Sequence, residues 1–166
     1  MLLKKAYEMA KGKGDIRSLV DSGGYLCSAY VFLTPEDEEI DNWELGFHVH
    51  KENKIVPVSV DGEVEITEGD EPLKEEVHQI AVEDIDFNAE EALEKAKKVQ
   101  KNNFGRKVQK ILLSIKKDEK LFWNVAFITG SFSIVTVKVN TEDGEILETN
   151  EKTLMQNMGS DKKLSI

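Results

Sequence analysis

The segment Trp43-Glu-Leu-Gly-Phe47-His48-Val-His50 holds two of the chain's 3 histidines, separated by a single residue. On an extended strand that spacing puts both imidazoles on one side, the geometry of a transition-metal pair. A stable site needs a third and usually a fourth ligand; Glu44, on the same strand face, and His78 are the donors at hand. The segment also has a purely structural reading. Trp43, Leu45, Phe47 and Val49 alternate with the histidines, so they form the apolar face while His48 and His50 point the other way, toward solvent.

Other reactive groups are sparse. The 1 cysteine, Cys27, rules out an internal disulfide and lies in the apolar run Tyr25-Leu-Cys-Ser-Ala-Tyr-Val-Phe-Leu33. No basic residue close in sequence lowers its pKa, which predicts a buried strand residue and not a reactive thiol. Asn140-Thr-Glu-Asp-Gly144-Glu145 gathers oxygen donors around a glycine, as a calcium loop does, but lacks the spacing and the distant glutamate of an EF-hand; a hairpin turn is the simpler expectation. The chain has no Gly-rich phosphate loop, HExxH, GxSxG or CxxC, and no pair of carboxylates stands out. These observations predict a protein without catalytic residues or a cofactor.

The elements that position these residues fall into a repeat. Tyr30 to Trp43, YVFLTPEDEEIDNW, lies against Lys110 to Trp123, KILLSIKKDEKLFW, and in both halves a phenylalanine, Phe47 or Phe127, follows the tryptophan by four. Asp61-Gly62-Glu63 then matches Asp143-Gly144-Glu145. Runs rich in Val, Ile, Phe, Tyr and Thr predict strands over 25–33, 43–50 and 54–60, and again over 108–116, 121–129 and 132–140. A helix precedes each set. Ala89 to Gln100 carries an apolar stripe, with Asn88 as N-cap, Glu91 completing a capping box and Gly105 beyond its end. Leu2 to Lys11 is a weaker helix, followed by a helical turn over Asp15 to Val20. The expected fold is α+β, with two repeated units, each a helix plus an antiparallel three-stranded meander. They occupy residues 1–70 and 86–166, with 71–85 as linker and the tail from Lys152 as a frayed helix end. The two tryptophans are expected as core anchors between helix and sheet.

The ending Val137-Lys-Val139-Asn140-Thr-Glu-Asp-Gly144-Glu145-Ile146, with a shortened form at Val58-Ser-Val60-Asp61-Gly62-Glu63-Val64, resembles that of PepSY domains, small cystatin-like α+β modules. The resemblance implies a non-enzymatic domain that binds or inhibits peptidases. On the outward face of the second copy Ala126, Ile128 and Ile134 are more apolar than a solvated face should be. That face is expected either to pack the two copies together or to dock a partner.

Composition narrows the partners. The 166 residues, 40% hydrophobic and 33% charged, suffice for one substantial core or two small ones. A formal charge of -10 repels phosphates and anionic lipid, which argues against nucleic acid. No apolar run approaches a membrane span. The start, MLLKKAYEMAKGKG, lacks the apolar core of a secretory signal, so a cytoplasmic module with a protein or peptide partner is expected; a metal-binding or small-molecule carrier is the alternative.

Overall fold

The computed structural model describes residues 1–71 and 76–154. Within them the chain forms α1 (Leu3–Lys11), α2 (Gly14–Asp21), β1 (Tyr25–Leu33), β2 (Trp43–Val49), β3 (Lys54–Asp61) and β4 (Glu63–Ile66). A 3-10 turn (Val82–Asp84) leads to α3 (Ala89–Val99), β5 (Val108–Lys117), β6 (Leu121–Thr129), β7 (Ser133–Asn140) and β8 (Ile146–Thr153). The strands make one eight-stranded antiparallel sheet in the order β4-β3-β2-β1-β5-β6-β7-β8.

This corrects the expected architecture of two repeated helix plus three-stranded units. One sheet dominates, and it continues through β1 and β5, which pair directly from Ala29↔Ile115 to Leu33↔Ile111. Each side of that seam is a meander of four strands, because β4 and β8 extend it at the two edges. Both additional strands are edge strands: β4, Glu-Val-Glu-Ile, turns Val64 and Ile66 to the core but is only 4 residues long, and β8 is mostly polar or charged beyond Ile146 and Leu147, a composition that suppresses edge-to-edge aggregation. Within the segment expected as a linker, the described part around Ile80 returns to the sheet. Ile80 donates to Leu26 O (2.8 Å), and Ile80 and Val82 are buried in the core. Residues 72–75 and the tail residues 155–166 lie outside the described residues, while Lys152 and Thr153 end β8 and do not begin a helix.

The helices cover one face of the sheet, α1 over β2 and β3, α3 over β6 and β7. α3 starts as its sequence dictates: Asn88 Oδ1 accepts from Glu91 N (2.9 Å), and Glu91 Oε1 accepts from Asn88 N (3.3 Å). Beneath the helices lies one hydrophobic cluster, with Trp43, Trp123, Phe47 and Phe127 its largest fully buried side chains. The indoles meet across the seam with centroids 6.0 Å apart. Each indole N–H needs a partner once buried. Trp43 donates to Met1 O (3.0 Å) and Trp123 to Phe87 O (2.8 Å), in each case a carbonyl just before the helix on that side.

Gly144, in the β7–β8 turn, secures this anchor from outside. Its φ of +76° is one that side chains rarely adopt, and a Cβ there would fall 2.6 Å from the Phe87 ring. We expect Gly144→Ala to lower the unfolding free energy by about 2 kcal/mol through strain and displacement of Phe87. Trp123→Phe should lower it by roughly 2–3 kcal/mol, losing ring volume and orphaning Phe87 O. Urea titrations check both, and a loss under about 0.5 kcal/mol, the range of ordinary surface changes, contradicts the anchoring role.

Candidate functional site

The other face of the sheet carries no helix, and its side chains form rows across the strands. In register, Glu65 of β4, Ser59, Glu44, Tyr30, Ser114, Asn124, Lys138 and Glu148 of β8 make one polar row through all eight strands. The ends of the row satisfy themselves: Ser59 donates to Glu44 Oε2 (2.5 Å) and Lys138 pairs with Glu148 (2.9 Å). Its centre does not. Ser114 is only 9% exposed, and its Oγ has no hydrogen-bond partner among the described residues. A buried hydroxyl left this way costs on the order of 1–3 kcal/mol of desolvation, so such a group calls for a reason.

An apolar row runs beside it, Phe32, Leu112 and Ala126, continued one step further by Ile128 and Ile134. Phe32 is 50% exposed, stands edge-on to Tyr30 with centroids 5.9 Å apart, and has Lys110 Nζ 4.3 Å from its ring centre. Between these rows and residues 70–71 and 76–80 lies a cleft of about 940 Å³. Tyr30, Phe32, Leu112 and Ser114 line its floor, Asp70 and Glu71 its β3 side, and Lys116, Lys117 and Asn124 its β5–β6 side. Gly46 gives the floor its shape, since a Cβ there would fall 2.2 Å from Ser28 Oγ.

Ala126, Ile128 and Ile134 are therefore outward-facing, as the alternation requires, and they lie on the helix-free face. They do not pack the two halves together, because those halves meet at the β1–β5 seam and in the core under the helices. The histidines behave differently from the expectation of two solvated rings. His48 is 7% exposed: Tyr25 covers it, with ring centroids 5.1 Å apart, and Nε2 donates to Asn53 Oδ1 (3.0 Å). His50 lies in the turn after β2 and is exposed. With Nε2 so engaged, only Nδ1 of His48 is open, and among the described residues no three His, Cys, Asp or Glu side chains gather into a ligand set. His78 is on the cleft wall, 4.0 Å from Glu76. The oxygens of residues 140–145 serve their own turn, Asn140 Oδ1 accepting from Glu142 N and Asp143 Oδ1 from Glu145 N.

Tyr30, Phe32, Ser114 and Asn124 carry the site and were not singled out by spacing. One signal was present: the run 25–33 is apolar on both faces, more than a strand with one solvated side needs.

No family model matches the chain, and no curated protein matches its sequence. A solved structure described as a putative lipoprotein from Clostridium difficile 630 is similar, with a TM-score of 0.56 at 14% identity over 92% of this chain and 93% of that one. At that identity the likeness shows the fold alone. No described helix is long and apolar enough to cross a membrane.

Cys27 lines the cleft, and burial pushes its thiol up from 9.0 to about 11. The neutral thiol is the form the fold prefers, so its contribution to stability is complete below pH 9 and is lost as pH rises through about 11. Two units also mean about 100-fold less thiolate at any pH below 9. Iodoacetamide should accordingly alkylate Cys27 about 100-fold more slowly in the native protein than in urea-unfolded chain; equal rates contradict the burial.

Proposed function

We propose that the protein is a non-catalytic binding module whose helix-free sheet face holds a peptide segment of a partner. The observation that carries this reading is Ser114 Oγ, buried and without a hydrogen-bond partner among the described residues, on the floor of a cleft where Tyr30 and Phe32 offer exposed aromatic surface. A bound backbone or side chain supplies the missing hydrogen bond, while Phe32 and Leu112 supply apolar contact. Binding is favoured over nucleophilic catalysis because, among the described residues, no general base is hydrogen-bonded to that hydroxyl, and its neighbours in register are Tyr30 and Asn124. The metal alternative loses support because His48 Nε2 is held by Asn53 and His50 leaves the strand. Peptidase regulation, implied by the resemblance to PepSY domains, is the narrower form of the same proposal, the bound segment then belonging to a peptidase.

Panning a phage-displayed random dodecapeptide library on the purified protein tests this. Enriched peptides should bind Phe32→Ala and Ser114→Ala at least tenfold more weakly by calorimetry, a loss of about 1.4 kcal/mol. Ser114→Ala should leave the melting temperature unchanged or higher, since it removes an unpaired buried hydroxyl. Absence of enrichment, or binding indifferent to both substitutions, overturns the proposal.

A further inference from the structure

β8 ends the described sheet on one side, and its 8 residues pair with β7 alone. Among the described residues nothing pairs with its other side, which presents alternate backbone N–H and C=O groups outward. Such an edge accepts a further strand wherever the side chains permit. Glu148, Asn150 and Lys152 stand on the helix-free face, in register with Lys138, Thr136 and Ile134, while Thr149 and Glu151 stand on the helix face, opposite Val137 and Val135. Arg106 holds Glu151 through two bonds (2.9 and 3.0 Å), Lys138 pairs with Glu148 (2.9 Å), and Lys152 is exposed and without an ion pair among the described residues. In a chain of formal charge -10, this edge is therefore close to neutral. Long-range repulsion between two copies is least severe here.

Two copies related by a two-fold axis pair their edges antiparallel, and residues opposite each other then lie on the same face, so each pairing joins positions of equal parity. Few registers remain. Centring the pair on Glu148, Glu151 or Lys152 sets that charge against itself, and centring it on Thr149 puts Glu148 opposite Asn150 and joins no opposite charges. Centring it on Asn150 sets Glu148 against Lys152 twice, Thr149 against Glu151 twice and Asn150 against its own copy. We propose that β8 is the interface of a homodimer, two copies pairing antiparallel about Asn150 into one continuous sheet. Glu148 accepts from the lysines on both sides of it, Lys138 of its own chain and Lys152 of the other copy. β4 at the opposite edge is excluded, because centring it on Glu63, Val64 or Glu65 sets glutamate against glutamate. The charges that block indiscriminate edge pairing thus leave one register open on β8. The axis stands perpendicular to the sheet, so the helices of both copies share one side and both clefts face the other.

One strand from each copy makes a small contact, so the dimer is expected to dissociate with a Kd of roughly 10 μM to 1 mM. Sedimentation velocity of the purified protein across that range should show monomer passing to dimer. Lys152→Glu and Glu148→Lys, both at exposed positions, put like charges opposite each other, and each should weaken self-association at least about tenfold. Mixed in equal amounts, the two variants should associate with each other about as tightly as wild type, because every glutamate then meets a lysine. This rescue separates the charge register from damage to the fold. Under mild oxidation Asn150→Cys should form an intermolecular disulfide, its Cα atoms lying about 5 Å apart at the centre of the pair, whereas Glu148→Cys, roughly 13 Å from its own copy, should not. A monomer at every concentration, a dimer indifferent to Lys152→Glu, no association between the mixed variants, or crosslinking at 148 in place of 150 overturns the proposal. Growth beyond the dimer overturns it as well, since a two-fold pairing closes.

Discussion

The pairing of two buried indoles across the centre of one sheet is the constraint on which the rest of the structure depends. Trp43 and Trp123 lie side by side beneath the helices, too large to move without opening the core. Each N–H, cut off from water, must be satisfied locally, and the carbonyls of Met1 and Phe87 satisfy them. Those carbonyls stand just ahead of α1 and α3, so the same two bonds that satisfy the indoles fix where each helix enters the sheet. Backbone pairing of β1 with β5 then makes the two meanders one surface.

Placing the helices on one side divides the labour of the two faces. The covered face alternates Leu, Val, Ile and aromatic residues into a closed core, and its burial is the main favourable term in folding. The other face keeps large aromatic groups at Phe32 and Tyr30 and, at Ser114, a buried hydroxyl without a hydrogen-bond partner among the described residues, none of which the core requires. Where β1 and β5 part, before Ala29, Ile80 is bonded to β1 and buried in the core, and residues 76–78 and Ile80 line the cleft as its second wall. The wall and the floor thus follow from the seam that joins the halves.

Much of the local structure was legible in the chain. The matched Trp–Phe spacings pick out the central core aromatics, alternation assigns six strands, and Asn88 with Glu91 marks the start of α3. The edge strands escaped for different reasons: the alternation of β4, with Val64 and Ile66 inward, is too short at 4 residues to stand out, and β8 is largely polar on both faces and has little period to detect. That two meanders form one sheet was also hidden: the Val31↔Leu113 pairing joins residues far apart in sequence, and alternation within a strand does not name its neighbour. Of the site, the outward direction of Ala126, Ile128 and Ile134 could be read from period alone, whereas the isolation of Ser114 Oγ depends on three strands in register. His48 had the pattern of a solvated residue, but the ring of Tyr25 and Asn53 in the following turn contact it in the fold, neither of which the period reveals.

The central claim, that one face holds the fold and the opposite face binds, is tested most directly by backbone amide chemical shifts of isotopically labelled protein during titration with a library-selected peptide. The account predicts shifts concentrated at Ser28, Tyr30, Phe32, Leu112, Ser114 and Asn124, with α1 and α3 unmoved. Shifts centred on the helices, or along the β8 edge with the cleft silent, would contradict it.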